Sequence, residues 1–157
     1  MIEYLRFNWL VPGKLAGGPH PELSGGLAAV APFLRTQGVG AIVTLYDTPL
    51  DPPPEQLGFR SLFVQTPNFE PPVDFGAVLH FIHQQHEQSQ GVLVHCFAGI
   101  GRTGIVLAAW LLQKDHRLSA AAAIARVRDE YIPGYARTRF PEHVSQADAL
   151  DRFAWER

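Results

Sequence analysis

Residues 91–112, GVLVHCFAGIGRTGIVLAAWLL, constrain this chain more than any other stretch. The run opens with the apolar, β-branched residues Val92 to Val94 and reads as a buried strand. From Gly104 to Leu112 it is too apolar for a surface helix and reads as a helix buried on nearly all sides. Between the two lie one cysteine, two glycines and an arginine. A strand that passes into a helix through a glycine-bearing loop presents free N–H groups at the helix start. With the positive end of the helix dipole they form an anion site.

The chemistry follows from that placement. Cys96 stands at the mouth of the anion site, and such a position favours a thiolate over a thiol. The N–H groups of Phe97, Ala98, Gly99, Ile100, Gly101 and Arg102 can line one concavity that fits phosphoryl oxygens. Gly99 and Gly101 allow backbone conformations, or close approach, that a side chain would block. Arg102 offers a planar fork of donors for bidentate contact with phosphate. A thiolate below the phosphorus and an arginine beside its oxygens suit in-line attack through a phosphocysteine. Thr103 can hydrogen-bond the sulfur and help it leave, and His95 is expected to orient the loop through backbone bonds, not to act as a base.

The segment resembles the signature of the cysteine-dependent protein phosphatases, His-Cys-x5-Arg-Ser/Thr, at each fixed position. Ala98-Gly99-Ile100-Gly101 is similar to the tyrosine-specific branch, while the length of 157 residues resembles the small atypical dual-specificity enzymes. Residues 7–17, FNWLVPGKLAG, look like the first strands of one small member of that group. The resemblance, which spans about residues 5–150, implies a single catalytic domain over 1–157 of α/β class. Its expected architecture is a central, mostly parallel sheet with helices on both faces. It implies a metal-independent phosphatase without cofactor, acting on phosphotyrosine in proteins, with phosphoserine and phosphothreonine as further candidate substrates. The competing expectation is a weakly catalytic phospho-residue reader on the same fold.

One position departs from the resemblance. Relatives carry a general-acid aspartate in a stretch like Pro-Asp-Phe-x-Pro-Pro, and here residues 67–72 read PNFEPP. Asn68 takes the aspartate's place, and an amide cannot donate the proton that a leaving oxygen needs. Three readings stay open. Glu70, or more remotely Asp74, serves as the acid; the enzyme acts without one on phenolic leaving groups; or the chain mainly binds phosphate. Phe97, Ala98 and Ile100 place no cation in the loop, whereas relatives acting on inositol lipids commonly carry lysines there. The turn at residues 133–139 is expected to return beside the site, where Arg137 and Arg139 would favour acidic sequences around the phosphorylated residue. Gly17-Gly18 is expected to shape the pocket rim.

The totals exclude other classes. A net charge of −2 gives no general affinity for nucleic acid or acidic membranes. The longest apolar run is far short of the roughly 20 residues that span a bilayer, and no secretory leader is apparent. Cys96 is the only cysteine, so disulfides within the chain and a protective resolving thiol are excluded. A cytoplasmic monomer is expected. Other elements are a strand over residues 4–11, a return strand over 14–16 and a glycine-proline loop over 17–21. Next come a helix over 27–37 stopped by Gly38, a strand over 41–45, a surface loop over 47–54 and a strand over 59–65. Helices follow over 73–88, from Ser119 to about 130, and from about Pro141 to 153. His80, His83 and His86 recur three apart on the 73–88 helix and read as its polar side, not as metal ligands.

Overall fold

The computed structural model describes residues 2–72 and 74–157. Its sheet has the order β1-β2-β5-β3-β4. The strands are β1 (Asn8–Val11), β2 (Leu15–Gly18), β3 (Val39–Tyr46), β4 (Arg60–Gln65) and β5 (Gly91–His95). β1 pairs antiparallel with β2, and every other pairing is parallel. β5, the strand that leads into the cysteine, is therefore central, with β2 and β3 on either side.

Alternation along the strands sorts two cores. Val92 and Val94 face the larger one, together with Ala41, Val43 and Leu45. Leu93 and Ile42 face the other. The larger core is covered by α2 (Phe75–Glu87), α3 (Gly101–Lys114), α4 (Ala120–Glu130) and α5 (Val144–Glu156). The opposite face is covered by α1 (Leu27–Gln37), through Leu27, Val30, Ala31 and Leu34. Helices thus lie on both faces, as expected. Residues 101–112 of α3 are all buried, which accounts for their unbroken apolar run.

Several boundaries follow the predicted signals. α1 ends at Gly38, whose φ of 90° is the left-handed cap that glycine supplies. Ser119 caps α4 by accepting from the Ala122 N–H at 3.1 Å. Val73, the expected first residue of the 73–88 helix, lies outside the described residues; α2 opens at Phe75 with Asp74 as its cap.

Three expectations are corrected. β1 begins at Asn8, not at Tyr4, because the chain turns at Arg6, whose φ is 65°. Tyr4 instead buries its ring, and its hydroxyl donates to the Pro19 carbonyl. Gly17 and Gly18 belong to β2, not to a loop at the rim. A Cβ on Gly17 would stand 2.5 Å from the Tyr131 ring, so bare backbone is what admits that ring. The last helix begins at Val144, not at Pro141. His143 caps it by accepting from the Ser145 N–H at 3.1 Å, while the Glu142 N–H donates to the Gln146 side chain at 3.0 Å.

Candidate active site

Cys96 follows the last residue of β5 at the carboxyl end of the sheet, where parallel α/β sheets bind ligands. It is 2% exposed. Thr103, on the first turn of α3, donates its hydroxyl to Cys96 Sγ at 3.1 Å, the contact that the sequence suggested. Arg102 lines the same cleft. One of its guanidinium nitrogens donates to the Thr66 carbonyl at 2.9 Å, and the group lies 5.4 Å from the Tyr46 ring centroid. Its Nε is buried and has no partner among the described residues, which leaves one guanidinium donor unused within the protein.

The loop between Cys96 and α3 is shaped from behind. Four successive carbonyls each accept a bond from a different part of the fold. The Cys96 carbonyl accepts from His95 Nδ1 at 3.1 Å, and that of Phe97 from the His20 N–H at 2.8 Å. The Ala98 carbonyl accepts from an Arg6 guanidinium nitrogen at 2.8 Å, and that of Gly99 from the Tyr131 hydroxyl at 2.7 Å. In a trans peptide the C=O and the following N–H point opposite ways. Holding these carbonyls outward therefore turns the N–H groups of Phe97, Ala98, Gly99 and Ile100 the other way, as an oxyanion cradle requires. Among the described residues no side chain caps the start of α3, so its first N–H groups add to the same concavity. Gly99 has φ of 74°, and a Cβ there would meet Gly18 backbone at 2.5 Å. Gly18 thus supports the loop from underneath.

His95 is fully buried, and burial above all drives its pKa down to about 3. It is neutral at working pH. A carbonyl only accepts, so Nδ1 carries the proton and Nε2 accepts from the Thr44 hydroxyl at 2.8 Å. That tautomer bonds both ring nitrogens, one to the loop carbonyl of Cys96 and one to Thr44. Tyr131 is raised well above an ordinary phenol, first by burial and then by Cys96, so its hydroxyl stays a donor.

The cleft above Cys96 encloses about 350 Å³. Tyr46 and Phe97 stack at its side, 6.3 Å apart and 19° from parallel, and Phe69 forms another wall. Asn68 lines it, but its Oδ1 is turned back to accept from the Phe69 N–H at 3.1 Å. Glu70 is exposed and is not among the lining residues. Asp74 faces another groove and caps α2 through the Ala77 N–H at 3.2 Å. Arg139 reaches the cleft, whereas Arg137 lies in a separate groove with Arg6 and donates to the Asp129 carbonyl at 3.3 Å. His83 lies 3.2 Å from Glu87 and His86 bonds the Lys14 carbonyl at 2.8 Å, so they serve different partners. No group of three or more metal-binding side chains occurs among the described residues.

Sequence reasoning missed Arg6, His20 and Tyr131, which reach the loop from far along the chain, and Thr44, which bonds His95 behind it. It also missed Asp47 and Glu142, two carboxylates that line the cleft. Nothing local to either residue signals this.

The geometry agrees with comparisons to known proteins. A family described as "Polymorphic toxin system, DSP-PTPase phosphatase" matches residues 16–116, well over half of the chain. The chain belongs to this DSP-PTPase family. Dual specificity protein phosphatase CDC14AB of Danio rerio is 34% identical over 137 residues, which are 81% of this chain and 22% of that protein. Tyrosine-protein phosphatase cdc-14 of Caenorhabditis elegans is 33% identical over 137 residues, 81% of this chain and 19% of that protein. The chain thus spans about a fifth of the length of these relatives. Tk-PTP in its active form superposes with a TM-score of 0.81 at 23% identity, covering 98% of this chain and 99% of that one, and shows the same fold. Among the described residues no helix is long and apolar enough to cross a membrane.

Proposed function

We propose that residues 1–157 act as one cysteine-dependent phosphatase domain that hydrolyses phosphotyrosine in proteins. Cys96 attacks phosphorus in line and forms a phosphocysteine, Arg102 and the loop N–H groups hold the equatorial oxygens, and water then releases phosphate. The observation that carries this reading is the Thr103 hydroxyl 3.1 Å from a buried cysteine sulfur, under a loop whose carbonyls are all held away. Preference for an aryl ester is supported by the Tyr46–Phe97 stack at the cleft. Phosphoserine and phosphothreonine would turn over more slowly. The domain is read as a cytoplasmic monomer that needs no metal.

The test is hydrolysis of p-nitrophenyl phosphate and a phosphotyrosine peptide between pH 5 and 8, with EDTA present. The expected result is EDTA-resistant turnover that disappears in Cys96→Ser while the variant still binds the peptide. Asn68 at the acid position favours a second reading, a phospho-residue reader. Binding by wild type without turnover of either substrate would establish that reading and overturn the first.

A further inference from the structure

The cleft is built to receive an anion, yet one of its walls is a carboxylate. Glu142 lines it with a side chain 13% exposed. Its carboxyl is packed against the loop: a Cβ on Gly101 would stand 2.0 Å from Glu142 Oε1. The Glu142 backbone is pinned where it is, because its N–H donates to Gln146 Oε1 at 3.0 Å. Gln146 is fully buried, and its Nε2 has no partner among the described residues although it too abuts Gly101. Two polar side chains from one short segment are thus aimed at the residue where the phosphate loop becomes α3.

A carboxyl on the wall of an anion-binding cleft is placed to hand a proton to a leaving oxygen and to take one back from water. The charged and titratable groups that share the cleft with Glu142 are Arg139 at 3.7 Å, Arg102, Cys96, Tyr46, and Asp47 beyond the end of β3. Asp47 is exposed, Glu70 is outside the cleft and Asp74 caps a helix, so Glu142 is the carboxyl best enclosed with the cysteine.

We propose that Glu142 is the general acid and base of the reaction, in place of the acid that Asn68 cannot supply; this rests on the phosphatase reading above. In the first step Cys96 Sγ forms a bond to phosphorus as the bond to the leaving oxygen breaks, and the Glu142 proton moves to that oxygen. In the second step water attacks the phosphocysteine and gives its proton to the Glu142 carboxylate. The S–P electron pair returns to sulfur, where the Thr103 hydroxyl stabilises it.

The test compares Glu142→Gln, Glu142→Asp, Asp47→Asn, Glu70→Gln and wild type on aryl phosphates of graded leaving-group pKa. Glu142→Gln is expected to lower kcat on phenyl phosphate and a phosphotyrosine peptide by about 10²-fold. Loss on p-nitrophenyl phosphate should be several-fold smaller, since that leaving group departs without help. The dependence on leaving-group pKa should steepen and the basic limb of the pH–rate profile should disappear, with Glu142→Asp restoring part of both. A purely structural role would move neither. An unchanged limb and slope in Glu142→Gln, or the same changes in Asp47→Asn or Glu70→Gln instead, would overturn the assignment and leave the phosphatase reading standing. Absence of Cys96-dependent turnover in wild type would overturn both.

Discussion

Removing one oxygen atom, in Tyr131→Phe, tests whether the outward-held carbonyls make the anion site. Tyr131 is 3% exposed, and its ring fills the space over Gly17 that phenylalanine would fill equally well. The substitution deletes only the hydroxyl that donates to the Gly99 carbonyl at 2.7 Å. Gly99 is buried, so its carbonyl loses its partner without gaining water. Stranding a buried acceptor costs about 1–3 kcal/mol, and urea unfolding should show a loss in that range. The larger interest lies in the site. An unheld peptide between Gly99 and Ile100 can rotate its carbonyl toward the cleft, replacing an N–H donor with an oxygen that repels phosphate. If restoring the productive orientation costs about 1–2 kcal/mol, kcat/KM falls by about 5- to 30-fold. Steady-state hydrolysis of p-nitrophenyl phosphate and the affinity for vanadate, read by competition, should fall together. A variant that unfolds as expected but keeps both within twofold of wild type would refute the link between the carbonyl anchors and anion binding.

Four other outcomes follow. Arg6→Met should lower vanadate affinity in the same way, because it removes the donor to the Ala98 carbonyl, with little change in far-ultraviolet circular dichroism. His95 has a folded pKa depressed to about 3 against an unfolded value near 6.5, so the unfolded chain binds more protons and stability falls as pH drops below 6.5. Between pH 6.5 and 5.0 this amounts to about 2 kcal/mol, and His95→Gln should flatten the measured pH slope of urea unfolding by that amount. Gly104→Ala should destabilise by about 1–3 kcal/mol, because its Cβ would meet the buried Phe140 ring at 2.4 Å, and adding Phe140→Leu should recover part of the loss in thermal melts. Phe97→Ala should reduce kcat/KM for a phosphotyrosine peptide more than for a phosphoserine peptide, if the Tyr46–Phe97 stack holds an aryl group.

The part of the site that was legible in the sequence is the part the chain writes contiguously. Residues 91–112 read as strand, loop and buried helix because the central position of β5 and the covered position of α3 leave no solvent face on either. Cys96, Arg102 and Thr103 fall within that stretch, and their spacing alone places them around one concavity. The N-terminal glycines misled for a physical reason. Gly17 and Gly18 are strand residues because the Tyr131 and Tyr4 rings occupy the room their side chains would take, and neither tyrosine is near in sequence. Arg6 lies 92 positions from the carbonyl that it holds, and Tyr131 lies 32 from its own. Contacts of that span have no periodicity or local propensity to betray them.

The acid shows the same limit in sharper form. Asn68 stood out because a motif made its position conspicuous, but its oxygen shapes the local turn by accepting from the Phe69 N–H. That turn is fastened to the start of α5, where the Ser145 hydroxyl donates to the Phe69 carbonyl at 2.9 Å. The segment that fastens the loop also delivers Glu142 to the cleft wall, three residues away. A proton donor carried on a loop must be brought in by loop closure. One carried on a segment tied to Gln146 and packed on Gly101 is in place before substrate arrives. An asparagine in the loop and a carboxylate on a segment bonded to that loop therefore belong to one arrangement, in which the loop shapes the cleft and the segment before α5 supplies the proton.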